Sequence, residues 1–522
     1  MNHRTTRAAL RRLSFLGSIA SAGALLLACS SKTPDSTVGP VNSGSAAAPG
    51  TGSGGSATGT GGNQSTTGGL SLPDDIGQGM PAGPCTGLAC QVAKCDGTTK
   101  TTITGKVYDP AGKVPLYNVL VYVPNAPVPA FTDGATCDRC GASVVNPVTS
   151  AITDETGTFV LQDAPSGANI PLVIQVGKWR RQLVIPNVAS CADTPMMDPQ
   201  VTRLPRNKAE GDIPKIAISV GAADQMECLP LRMGIDPAEF TTADGDGRIH
   251  LYLGNYNMPR GGGAGGGGQT PVMKFDDMHG GAALTPSSTL WASTDSLMKY
   301  DITILSCEGG TFADQKTAAV RQAMYDYESL GGRVFASHLH NVWFAQGPAP
   351  VPSTGTWNTR TPNPAGSPGD VNGDGTPQPA TINQTFPKGE ALAKWLMNVG
   401  ASTALGSMDV SFPRDDIQAV NPMLAREWIT VNNPNFPDAP TAVQYMSYNA
   451  PIGAPDDQIC GRAVFTDLHV ASVDNLTAAN GMGFPANCEQ REMSSQEKAV
   501  AFMLFDLSSC VQNEDQVPKP PK

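Results

Sequence analysis

Near Pro205 the spacing of apolar residues changes, and that change limits what the chain can fold into. From 101 to about 195, short apolar or alternating runs stand at 102–108, 119–123, 158–161, 172–176 and 182–185. Turn signals separate them: Asp109-Pro110-Ala111-Gly112, Pro124-Asn125, Asp154-Glu155-Thr156-Gly157 and Pro165-Ser166-Gly167. Short strands with frequent turns predict an all-β unit, a β-sandwich over 85–200.

Beyond Pro205 strands and helices alternate. Strand-like runs lie at 215–220, 248–252, 301–306, 333–337, 442–448 and 462–468, and 222–232 is weakly helical. Asp314 can cap a helix whose apolar face is Val320, Ala323, Met324, Tyr327 and Leu330, stopped by Gly331-Gly332. Leu392, Trp395, Leu396 and Val399 mark a second helix, ended by Gly400. A third opens on a capping box from Ser494 to Glu497 and carries Val500, Met503, Leu504 and Leu507. The alternation predicts a three-layer, flavodoxin-like α/β domain over 205–515 with a mainly parallel sheet, so the fold class is α/β plus all-β. Two stretches interrupt it. Residues 260–268 are almost pure glycine, and 346–388 is long and Pro/Gly-rich; both read as functional lids or insertions without regular structure.

Ahead of both units, Arg4, Arg7, Arg11 and Arg12 precede an apolar stretch from 13 to 28, the pattern of a secretory signal over 1–28. It ends in Leu26-Leu27-Ala28-Cys29, which resembles a bacterial lipobox. The resemblance implies cleavage before Cys29, acylation of that cysteine and attachment to the bilayer. Ser30 rather than Asp follows, which resembles sorting to the outer membrane of a Gram-negative bacterium. Several acyl chains anchor stably, each buried CH₂ contributing about 0.8 kcal/mol. Later in the chain there is no apolar run of about 18 residues, so lipid is the expected attachment. Residues 29–84 are Gly/Ser/Thr-rich and too poor in apolar side chains to offset chain entropy. They read as a disordered stalk of on the order of 40 Å end to end.

The net charge is −11 over 522 residues, without a Lys/Arg cluster after the signal, so nucleic acid is not an expected partner. Of twelve cysteines, Cys29 is assigned to lipid. In an exported chain Cys85, Cys90, Cys95, Cys137, Cys140, Cys191, Cys228, Cys460, Cys488 and Cys510 are disulfide candidates, with connectivity open. The number left after Cys29 is odd, so at least one is free or pairs between chains. Cys137-Asp138-Arg139-Cys140 lacks the second Cys pair of a zinc ribbon and reads as structural.

Two longer resemblances follow from particular segments. "ITGKVYDPAGKVPLYNVLVYV" and "TDETGTFVLQDAPSGANIPLVIQ" resemble the carboxypeptidase regulatory-like, transthyretin-related sandwich, which implies a non-catalytic spacer or adhesion module. "YDITILSCEGG", "LGGRVFASHLHNVWF" and "GRAVFTDLHV" resemble the class I glutamine amidotransferase-like superfamily, nearer its ThuA-like relatives. The family's nucleophilic cysteine would stand at the elbow Ala336-Ser337-His338-Leu339-His340, and His338 stands there instead. Glutamine hydrolysis is therefore not expected.

Ligands of open α/β sheets bind beyond the carboxyl ends of the strands. Polar residues of suitable type stand at three such ends: Cys307 and Glu308, His338 and His340, and Asp467 and His469. Cys307 reads as a nucleophile if a base such as His338 or His340 lies within hydrogen-bond reach and the thiol pKa is lowered, and otherwise as a disulfide or buried thiol. The histidines suit a transition metal, but no short metal-binding spacing accompanies them, and no metal is assigned. Asp370, Asn372 and Asp374 fit the first half of a calcium loop, with Thr381 where the bidentate Glu should be; an Asx/Gly turn is favoured, and calcium is the one cofactor left open. Two functions are carried forward. The first is a non-catalytic binding or envelope lipoprotein whose α/β cleft takes a small molecule or saccharide. The alternative is a hydrolase-like enzyme using the strand-end histidines. Convergence of the six side chains around one point separates them.

Overall fold

The computed structural model describes residues 85–521 except 141–143, 145, 257–269, 359–370, 372–375, 434–439 and 471–481. The signal, the stalk, acylation candidate Cys29, calcium candidates Asp370, Asn372 and Asp374, and the 260–268 glycine run lie outside the described residues. The chain is mixed α/β, built on several sheets.

Seven strands form two sheets: β1 (Thr102–Lys106), β2 (Leu120–Val123), β3 (Thr149–Ile152), β4 (Thr158–Gln162), β5 (Gly167–Val176), β6 (Trp179–Val188) and β7 (Asp193–Met196). One sheet runs β4-β1-β7 and the other β3-β2-β5-β6. Period-two alternation sends Ile103, Phe159 and Leu161 from the first, and Val121, Leu172 and Ile174 from the second, into one apolar core.

The short helix α1 (Pro199–Thr202) leads into the larger part. Its strands are β8 (Ile216–Val220), β9 (Phe240–Thr241), β10 (Ile249–Leu253), β11 (Thr285–Pro286), β12 (Ile302–Leu305), β13 (Arg333–Ser337), β14 (Gly355–Trp357), β15 (Gln378–Ile382), β16 (Ser407–Val410), β17 (Ile417–Val420), β18 (Arg426–Asn432), β19 (Thr441–Ala450) and β20 (Gly461–Thr466). Its helices are α2 (Cys228–Arg232), α3 (Thr294–Leu297), α4 (Ala318–Ser329), α5 (Val342–Ala345), α6 (Pro387–Asn398) and α7 (Ser495–Ser508). An eleven-stranded sheet runs β11-β10-β8-β12-β13-β20-β19-β18-β15-β16, with β9 beside β10. Pairings from β11 to β20 are parallel, and β8, β12, β13 and β20 are buried along their whole length. Those buried on both faces read as continuous apolar runs.

Parallel pairings outnumber antiparallel ones in this sheet, which beyond β20 is antiparallel through β19, β18, β15 and β16. Two expectations need correction. The 346–388 stretch is not structureless: it holds β14 and β15, where Ala380 and Ile382 alternate inward behind the proline-rich composition. The helix expected from Asp314 begins at Ala318, with Thr317 at the N-cap and no side-chain cap. The capping box does form at Ser494 and Glu497 of α7.

Five disulfides join Cys85–Cys90, Cys95–Cys191, Cys137–Cys460, Cys140–Cys510 and Cys228–Cys488. The two cysteines of the Cys137–Cys140 pair each bond far across the chain, to Cys460 just before β20 and to Cys510 just after α7, and not to each other. They tie the β unit to the α/β part. Tyr117 stacks on Phe502 of α7, and Trp395 Nε1 donates to Pro115 O at 2.7 Å. Gly177, at φ +54 in the β5–β6 turn, lets the α7 backbone approach: a Cβ there would sit 1.8 Å from Ser508 O.

Candidate functional site

Read in chain order, the parallel strands β8, β10, β12, β13 and β20 lie side by side in the order 2-1-3-4-5. The chain steps from β8 to one side and then returns to β12 on the other, so strand order reverses between them, the point beyond whose carboxyl ends ligands of open α/β sheets bind. β12 delivers Cys307 there, β13 delivers His338, and β20 delivers Asp467 and His469. Gly221, just past β8, packs on the Cys307 backbone: a Cβ would lie 2.1 Å from Cys307 O.

His338 turns the chain out of β13 with φ +44, a left-handed conformation that costs a non-glycine residue roughly 1–3 kcal/mol. The strained turn aims its ring back at β12. Cys307 Sγ lies 3.3 Å from His338 Nδ1, and the His338 and His469 rings meet edge to face at 4.9 Å. The ligand atoms of Cys307, His338 and His469 all lie within 4.8 Å of one another. Cys307 is 0%, His338 5% and His469 4% exposed.

Around this cluster stands a carboxylate shell. Asp416 Oδ2 is 3.3 Å from His338 Nε2, a close approach outside hydrogen-bond geometry. Its nearness favours the tautomer with the proton on Nε2, leaving Nδ1 to face the sulfur. Asp416 N–H donates to Asp467 Oδ2 at 3.2 Å. Burial raises both carboxyls, Asp416 to about 7, and repulsion between the two adds to burial in driving Asp467 well above the ordinary range. Asp224 accepts from Ser337 Oγ and from Val470 N–H, each at 3.0 Å, and fastens the β13 and β20 ends together.

Burial also sets the cluster's charge state. It pushes the Cys307 thiol up to about 12, although the N–H groups of Gly309 and Leu339 favour the thiolate. It drives His338 well below the ordinary imidazole value, assisted by the charges of His469 and Arg414, and lowers His469 to about 3. The group is thus a neutral thiol beside two neutral imidazoles. Such a set can accept a proton or ligate a metal; it is not a preformed thiolate–imidazolium pair.

Glu308 and His340 have other work. Glu308 pairs with Lys316 at 2.6 Å, both side chains fully buried, and accepts from Asn255 N–H at 2.7 Å. His340 Nε2 meets Ser306 O at 2.9 Å and must donate, while Nδ1 accepts from Trp343 Nε1 at 3.0 Å. Both nitrogens are engaged, so His340 positions the elbow and does not face a ligand. Sequence reading missed Asp224, Arg414 and Asp416. The one signal was the charged run Arg414-Asp415-Asp416 directly before the buried Ile417 in a chain only 16% charged.

No family profile matches the chain, and no curated protein is similar to it in sequence. Among solved structures, a ThuA-like protein from Bacteroides uniformis is similar at 15% identity over 36% of this chain and 68% of that one, with a TM-score of 0.21. A mutant type II cohesin–X-dockerin complex from Acetivibrio cellulolyticus is similar at 16% identity over 26% and 85%, with a TM-score of 0.15. Likenesses this weak assign this chain neither a family nor an activity.

Proposed function

We propose that the protein is exported, acylated at Cys29, and works outside the cytoplasm as a hydrolase-like enzyme centred on His338, His469 and Cys307. The observation that carries the catalytic part is the convergence of these three side chains, from three separate strand ends, within 4.8 Å. Burial leaves the imidazoles weak bases, so proton uptake from an attacking water would rely on Asp416 behind His338 to stabilise the imidazolium that forms. The 2-1-3-4-5 strand order supports a flavodoxin-like, ThuA-like reading of this part. The β unit then serves as the carboxypeptidase regulatory-like spacer between stalk and enzyme. A small molecule or saccharide is the ligand class, and the outer membrane is the place of anchoring.

Purified protein should turn over at least one class among chromogenic esters, phosphate esters and glycosides. His338→Ala and His469→Ala should each lose about 100-fold or more of that rate. Absence of turnover on every class, or rates unchanged in both variants, returns the site to non-catalytic binding, the reading that near-complete burial of the cluster favours. For the anchor, cells fed labelled palmitate should label the wild type and not Cys29→Ser; equal labelling would remove the lipid assignment.

A further inference from the structure

We propose that Cys307, His338 and His469 are the three protein ligands of a zinc-class transition metal, with Asp416 steadying the His338 ring from behind. The inference rests on the same three side chains as the hydrolase reading and names what they hold.

Three observations carry it. The first is distance. Two ligands on a tetrahedral zinc, with Zn–S about 2.3 Å and Zn–N about 2.0–2.1 Å, stand about 3.5 Å apart. Cys307 Sγ and His338 Nδ1 are 3.3 Å apart, and the His469 nitrogen lies within 4.8 Å of both. The second is the far side of His338, where Nε2 faces the Asp416 carboxylate at 3.3 Å. A carboxylate on the non-ligating nitrogen is the usual outer partner of a metal-bound histidine. The third is cysteine use. Of the described cysteines, Cys307 is the one outside a disulfide, and it is buried. A metal would explain why this sulfur stays reduced while ten others pair.

Each ligand comes from a different strand end, so no short spacing in the sequence could announce the set. Arg414 adds a positive charge near the two histidines, and Asp224 and Asp416 lie near the Cys307 thiol. Three protein ligands leave a fourth position for water or substrate, as in catalytic zinc sites.

The full-length protein, stripped with a chelator, should bind one equivalent of cobalt(II) and show a near-ultraviolet thiolate-to-cobalt charge-transfer band that zinc(II) abolishes. Cys307→Ser should lose the band, and His469→Gln and Asp416→Asn should each weaken binding about 10–100-fold. If the wild type takes up no stoichiometric cobalt, or Cys307→Ser keeps the band, the site is not a metal centre. The wild-type spectrum decides even where a variant fails to fold. Metal bound without turnover keeps this inference and sinks the hydrolase; turnover by a protein that takes up no cobalt does the reverse.

Discussion

Replacing Cys137 and Cys460 together by alanine should lower the free energy of unfolding by about 2–5 kcal/mol. The bridge spans 323 residues, and chain-entropy reasoning for a loop that long gives about 6 kcal/mol, an upper bound. Its neighbour Cys140–Cys510, spanning 370 residues, closes a shorter circuit with it and keeps the loss below that bound. Removing both bridges should cost clearly more than removing either, because among the described residues no disulfide then joins the β unit to the β20 and α7 ends of the α/β part. The contrast is Cys85–Cys90, five residues apart, where the same reasoning gives about 2 kcal/mol. Urea unfolding followed by fluorescence measures all three, and the m-value should rise as the unfolded chain expands. A loss below about 1 kcal/mol for the double removal would mean the two parts are held by packing alone, through contacts such as Tyr117 on Phe502.

The strands that stand in the sequence are those with one strong face or two. β8, β12, β13 and β20 are fully buried and read as apolar runs, and β4 alternates cleanly. β3 and β7 were invisible because neither has a buried residue. Half-buried edge strands take whatever their neighbour tolerates, so they carry no period. β15 was hidden by Pro379 and its Pro/Gly-rich surroundings. Likewise, the site was legible where an apolar run gives way abruptly to Cys307, His338 or His469. Asp416 and Asp224 were not, since each lies in a loop and reaches the cluster through topology. Connectivity of the cysteines follows from the same long-range geometry and has no local trace.

Asp506→Ala should cost about 3–5 kcal/mol, the penalty for leaving buried charge uncompensated. Asp506 lies among the apolar residues of α7 and is 6% exposed. Lys388 Nζ of α6 is 2.6 Å from one of its oxygens, and Arg462 of β20 is 2.8 Å from the other. One carboxylate thus holds α6, α7 and β20 together. Burial pushes its carboxyl up, but the two cations outweigh burial and hold it below the ordinary value. A depressed carboxyl stabilises the fold above its unfolded pKa and loses that contribution as pH falls through the folded one. The wild type should therefore lose stability on acidification below about pH 4 through this group, and Asp506→Ala should show a shallower acid limb. Arg462 keeps Glu514 at 3.4 Å and Asn449 at 2.9 Å, so Lys388 is the cation left stranded. Lys388→Met combined with Asp506→Ala should accordingly recover part of the loss, a coupling of about 1–3 kcal/mol in the mutant cycle. Additive single effects would show that Lys388 reaches water when its partner is gone, and that the pair is not the clamp between α6 and α7.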